Sequence, residues 1–244
     1  MIHLQLAYLF SVLILAGFGF SFFCFDYYAP YIKKWKANKL HFQTQVYLDE
    51  KIGSSPELVR EGIKKAKVAY LLDPQNRGSY ENYLELLYLD SPEQALSKWS
   101  RLVDNSENGI SLGNNILRKA LKHLNKKDAE IESKVIVGEI ALSQFQYLME
   151  IEGWDNQSQN LLLGAEILAE TGNHEQALEL VNEVLESNPE DSTAVFLLTR
   201  LTVHLKDRSQ LLRLGKALAP LSSQRNEVGV EAIRHMTLLN FLQP

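Results

Sequence analysis

Residues Ser158–Asp191 read SQNLLLGAEILAETGNHEQALELVNEVLESNPED, and this stretch decides the fold. From Glu175 to Glu186 the apolar residues are Ala177, Leu178, Leu180, Val181, Val184 and Leu185. Intervals of three and four predict an α-helix whose apolar stripe is wide enough to bury on both sides. Asn173 can cap that helix while Gln176, three residues on, reaches back. Gly172 can end a preceding helix in a left-handed turn, and Asn188-Pro189 stops the second one. The stretch is therefore expected to be two helices joined by a tight turn.

An earlier segment repeats the grammar. Ser91 is placed to cap, Pro92 takes the first helical position and Gln94 completes the box. Ala95, Leu96, Trp99, Leu102 and Val103 form the stripe. The letters Glu-Gln-Ala-Leu open both helices, at 93–96 and 175–178, and with matching caps and stripes they point to duplication. Strand signals are scarce, and Asn108-Gly109 lacks alternating apolar flanks, so a loop or a helix end is expected there.

Ser158–Asp191, at 34 residues, resembles a tetratricopeptide repeat. Leu161, Gly164, Ala165 and Leu168 fit its first helix, Gly172 its turn, Ala177, Val181 and Val184 its second helix, and Pro189 its close. A weaker match runs from Asn76 to Asn108 through Tyr83, Leu86, Ala95, Trp99 and Leu102. A half-match lies at Gly62, Ala66, Ala69 and Pro74, and beyond Ser192 only Leu198, Leu211 and Leu218 keep the pattern. Between 109 and 157 the spacing is lost, although Ile116, Leu117, Ala120, Leu121 and Leu124 still read as helix. The resemblance implies an all-α fold over residues 55–244, a right-handed α-solenoid of antiparallel helix pairs. It also implies a concave groove, lined by first helices, that takes a protein or peptide. Transferred to this chain, that groove holds Tyr80, Leu84, Leu87 and Tyr88, then Leu162, Glu166 and Glu170, then Phe196, Arg200 and His204. Packing between repeats is the competing role for the Leu and Phe members. Some family members hold acidic chaperone C-termini through basic and Asn side chains. Leu162 and Glu166 stand in such places here and oppose that ligand.

The N-terminal segment has a different composition. From Leu4 to Phe25 no side chain is charged, and these 22 residues as a helix span about 33 Å, enough for a hydrocarbon core of about 30 Å. Residues such as Leu13, Leu15, Phe18 and Phe22 point all round that helix, which suits lipid. Tyr27, Tyr28, Tyr31 and Trp35 suit the headgroup layer, and Pro30 offers a break or bend. The expected plan is an N-terminal transmembrane anchor over 1–30, a juxtamembrane helix over 31–54 and the repeat domain. A cleaved leader would want a positive charge before the apolar run and small residues at its end, and neither is present. Lys33, Lys34, Lys36 and Lys39 follow the span and none precedes it, which places the repeats on the cytoplasmic side, with a periplasmic domain as the alternative. The same lysines can touch anionic lipid.

Charge and motif content narrow the function classes. The chain carries −5 over its 244 residues. Residues 1–39 hold +3, which leaves −8 on the other 205, so no nucleic-acid partner is expected. One cysteine, Cys24, leaves no pair for a disulfide or a thiol-rich metal site. The six histidines, His3, His41, His123, His174, His204 and His235, lack metal-ligand spacing and read as helix-surface or turn residues. Glu130, Glu132, Glu139, Glu166 and Glu170 read as polar helix faces rather than acid–base groups. No phosphate loop or nucleophile elbow is present, so no cofactor and no enzymatic activity are expected.

The reading is thus a membrane-anchored scaffold that binds other proteins from the cytoplasmic side. The alternatives are a periplasm-facing chaperone-like or envelope-assembly factor, or a non-catalytic subunit of an enzyme complex. Glu227–Leu242 carries Val228, Val230, Ile233, Met236, Leu238, Leu239, Phe241 and Leu242. Solenoids usually end on a polar capping helix, so this apolar end is expected to pack on a partner, on a second copy or on a longer parent chain.

Overall fold

The computed structural model describes residues 28–48, 55–104, 107–154, 157–206, 209, 211–224 and 226–240. The expected span at 4–25, with Cys24 and Tyr27, lies outside the described residues, as do Phe241 and Leu242. Among the described residues there is no strand, and no helix is long and apolar enough to cross a membrane. The chain divides into two compact units, the first ending at Ser91 and the second beginning at Pro92.

In the first unit, residues 28–45 form α1, followed by a 3-10 turn at Val46–Leu48; α2 spans Pro56–Leu72 and α3 Arg77–Asp90. Pro30 lies in the first described turn of α1. Pro56 opens α2, where its missing N–H costs no helical bond. Val59, Gly62, Ala66 and Ala69 then give α2 a narrow buried stripe against which α3 closes. Asn76 caps α3, its side-chain oxygen accepting the Ser79 N–H at 3.2 Å. Arg60 meets Asp90 at one end of this pair, at 3.4 Å, and the Tyr70 and Tyr80 rings lie 4.6 Å apart at the other, so the helices are antiparallel. Gly62, Ala66 and Ala69 thus serve a pairing with the helix that follows. The weaker repeat expected at 76–108 is divided, because its first helix, α3, belongs to the pair with α2.

The second unit holds α4 (Pro92–Ser100), α5 (Glu107–Leu124), α6 (Ile131–Met149), α7 (Ser158–Glu170), α8 (His174–Ser187), α9 (Ser192–Leu205), α10 (Leu211–Ser222) and α11 (Glu227–Asn240). Each packs on its sequence neighbour, and α5 on α7, α7 on α9 and α9 on α11 form a second set of contacts. Neighbouring pairs stacked in this way are consistent with an α-solenoid. Asn108 and Gly109 sit in the first turn of α5, a helix end. On α11, Val230, Ile233, Met236 and Leu238 are exposed.

The α7–α8 turn is legible atom by atom. Gly172 has φ +86°, its N–H donates to the Ala169 carbonyl at 3.2 Å, and the Asn173 N–H donates to the Leu168 carbonyl at 2.8 Å. This is a Schellman closure, and glycine adopts the left-handed conformation it needs without a Cβ penalty. The capping box expected next to it does not form. The Asn173 amide donates to the Thr171 hydroxyl at 3.1 Å, and Asn173 makes no side-chain cap. Asp191 does cap α9, accepting the Ala194 N–H at 3.0 Å.

Loss of the repeat spacing between 109 and 157 has a packing cause. Trp154 is buried after α6, its ring edge-on to Phe145 with centroids 5.9 Å apart. Its indole N–H donates to Asn114 Oδ1 at 2.9 Å, Asn114 Nδ2 donates to Asn160 Oδ1 at 3.2 Å, and Asn160 Nδ2 returns to the Trp154 carbonyl at 2.8 Å. Phe145 in turn rests on Gly164, where a Cβ would fall on the ring. Gly164 therefore admits a ring from α6 rather than bringing α7 close to α8.

Gly164→Ala is expected to destabilise the chain by about 1–3 kcal/mol through overpacking against Phe145. Gly215→Ala in α10, where a Cβ meets open space, is expected to stabilise it by up to about 1 kcal/mol through helix propensity. Urea midpoints moving in opposite directions for the same chemical change check both.

Candidate functional site

The residues assigned to a groove from sequence fall in both units. In the first unit Leu84, Leu87 and Tyr88 are buried, and burial pushes the Tyr88 hydroxyl pKa up to about 12, with the Glu85 charge adding. Tyr80 is half-buried, tilted between Tyr70 at 4.6 Å and Tyr83 at 6.2 Å. Three of these four side chains therefore pack inside rather than face solvent.

In the second unit Leu162 is buried, but the other assigned residues gather on α7 and α9. Both helices present one side chain per turn to the same side, Glu166 and Glu170 from α7 and Phe196, Arg200 and His204 from α9. Arg200 Nη2 donates to Glu170 Oε1 at 2.6 Å. The His204 ring lies on that of His174, the first residue of α8, with centroids 3.9 Å apart. Phe196 stacks on His235 of α11 at 4.8 Å and 5° between planes. An open cleft of about 390 Å³ runs between Glu170, His174, Arg200 and His204 over Leu197 and Leu201. A second cavity, about 440 Å³, lies between α8, α9 and α10, with Leu185, Val195 and Leu214 and the charged Glu190, Arg213 and Lys216 in its lining.

Burial sets the electrostatics of this surface. It raises the Glu166 carboxyl, with Arg200 opposing and Glu170 adding to the rise. It lowers His174, with the neighbouring His204 lowering it further and Glu170 opposing. It lowers His235 too, against the pull of Glu231, whose Oε1 is 3.5 Å from His235 Nε2. The Nδ1 atoms of His174 and His235 have no hydrogen-bond partner among the described residues.

Two side chains expected on helix surfaces are therefore not there. His123 and His235 are buried, each turned to the inward stripe of its helix. His123 Nε2 lies 3.0 Å from the Ser133 hydroxyl, which donates to Glu93 at 3.2 Å. Glu166 is half-buried, whereas Glu130, Glu132 and Glu139 are exposed. The sequence reading did not assign His174 or His235 to the site. Its one available signal for His174 was spacing, since Glu170–Arg200 and His174–His204 are both separated by 30 residues.

Chemically, the α7–α9 surface offers carboxylates, a guanidinium and imidazoles around an open apolar floor. It can bond the polar main chain and side chains of a bound segment. Among the described residues no three or more His, Cys, Asp or Glu side chains group to hold a metal ion. No family model matches the chain, and no curated protein matches it in sequence.

The histidine shifts fix the sign of an acid effect. His123, His174 and His235 have folded pKa values below the ordinary 6.5, so the unfolded chain binds their protons first as pH falls. Their contribution is fully present above about pH 6.5 and is lost as pH falls through the depressed folded values. His235→Phe keeps a ring against Phe196 without a titrating group. It is expected to reduce the fall in urea midpoint between pH 7.5 and 5.5, measured beside the unaltered chain.

Proposed function

We propose that the chain is a membrane-anchored scaffold. In this reading its helix pairs form a right-handed tetratricopeptide-like solenoid on the cytoplasmic side, which holds a partner polypeptide along the α7–α9 surface and carries no catalytic step. The observation that supports it most is the joining of alternate helices. With α5, α7, α9 and α11 in successive contact, Glu170, Arg200 and His204 meet at one open cleft, and Glu166 lies one turn before Glu170 on α7. A cleft open along its length suits an extended or helical polypeptide better than a small molecule, which is usually enclosed. The Glu170–Arg200 pair is part-exposed and is worth at most about 1 kcal/mol to folding, so a partner can exchange its contacts at little cost. The uncharged run at 4–25 and the lysines after it support the anchor and its orientation.

A photo-crosslinking residue at Glu170 or His204 of the full chain, in membranes, is expected to give a discrete polypeptide adduct. The same residue at Glu183, exposed on α8, is expected to give none. Arg200→Glu should remove the adduct at both cleft positions without changing the amount of folded chain. Adducts at all three positions, or none at the cleft, would refute the binding surface. A reporter fused after Pro244 should be active in the cytoplasm, and periplasmic activity would reverse the orientation.

A further inference from the structure

The face of α1 turned away from its own unit is exposed. Tyr28, Tyr31, Ile32, Trp35, Lys39 and Phe42 recur at three, four and seven residues, a single stripe about 21 Å long. Tyr31 and Trp35 are 65% exposed and Phe42 is 66% exposed. The opposite face is already used. Ala37 and Thr44 are buried, the Asn82 amide donates to the Thr44 hydroxyl at 3.0 Å and to the His41 carbonyl at 3.4 Å, and the Asn76 amide donates to Asn38 Oδ1 at 3.3 Å. The aromatic stripe is thus held facing outward by a polar seam behind it.

Its charge says what fits it. Residues 28–48 contain four lysines and no Asp or Glu, in a chain that is acidic elsewhere. Lys34 and Lys36 fall on opposite flanks of the stripe, and the Lys39 ammonium lies 5.4 Å from the centroid of the Trp35 ring. A second copy laid on this stripe would set lysines against lysines, and the cores of protein interfaces are depleted in lysine. Aromatic rings flanked by lysines on one helix face are instead the pattern of a helix lying in a bilayer interface. There the rings take the headgroup level and the ammonium groups meet lipid phosphates.

We infer that α1 lies along an anionic lipid surface through Tyr31, Ile32, Trp35 and Phe42, with Lys34, Lys36 and Lys39 contacting the phosphates. The inference rests on the anchor reading only for nearness to a bilayer. It gives the first unit a second attachment, one that depends on headgroup charge where a transmembrane span does not.

Trp35 supplies the probe, because Trp99 and Trp154 are 3% and 2% exposed and are shielded from an aqueous quencher. The full chain is placed in nanodiscs of phosphatidylcholine, or of phosphatidylcholine and phosphatidylglycerol in equal parts. Acrylamide quenching is expected to be several-fold weaker in the anionic discs, and lipids labelled near the headgroup should quench more than those labelled at the chain end. The combined K34Q, K36Q and K39Q variant should lose the difference between the discs while Trp35 remains in place. Equal quenching in both discs overturns the inference, as does protection of Trp35 in the absence of lipid, which would assign the stripe to a protein contact. The anchor fails separately, if the chain is recovered in the aqueous fraction without detergent. That soluble chain is then floated with vesicles of each composition: flotation with the anionic vesicles alone upholds the inference, and any other pattern overturns it.

Discussion

A short amphipathic helix cannot hold its shape or bury its stripe alone, and in this chain the remedy is the neighbouring helix. Leu161, Leu168, Val181 and Val184 fill the space between α7 and α8, while Leu198, Leu214 and Leu218 continue the core toward the C-terminal end. Each of these contacts orders a helix that in turn offers a surface to the next. That dependence also places the site, since Glu170 and Arg200 meet only when the first helices of consecutive pairs stand in contact. The ion pair is a consequence of the stacking and too weak to be its cause.

Where backbone conformation had a single solution, the sequence was easy to read. Gly172 lies between two apolar stripes, and the tight reversal there requires a positive φ that glycine accepts. Helix type over 174–187 followed from side-chain spacing, and its extent from Gly172 before it and Asn188-Pro189 after it. Features settled by competition between partners were harder. Asn173 has the right residue type and position for a cap, but its Nδ2 is turned to the Thr171 hydroxyl and its oxygen caps no backbone N–H. The Trp154–Asn114–Asn160 ring joins residues up to 46 positions apart, so its members look unrelated along the chain. The pairing of α2 with α3 was missed because small residues at three and four suit an approach from either neighbour.

The candidate site was partly legible for the same reason. Glu166, Glu170, Arg200 and His204 were assigned together through the repeat resemblance, and their one-turn spacing on α7 and α9 puts them on one side. Their environments depend on what the third helix brings. His235 is on α11, yet it stacks on Phe196 and removes that ring from the free surface. Leu84, Leu87 and Leu162 were assigned in the same way and are buried, because an apolar side chain one turn from a polar one is drawn to whichever neighbour excludes water.

The burial of Glu166 bears on how the proposed partner gains affinity. A carboxylate on an open surface surrenders a full hydration shell when a partner approaches, and the surrender offsets most of the attraction. Glu166 has given up part of that shell in folding, as its raised pKa records, and Arg200 recovers only some of the loss. A partner's cation or main-chain N–H placed there meets a group already partly desolvated and held on a packed helix. On the proposed reading, part of the desolvation that a partner would otherwise impose on Glu166 belongs to the stacking of α7 on α9.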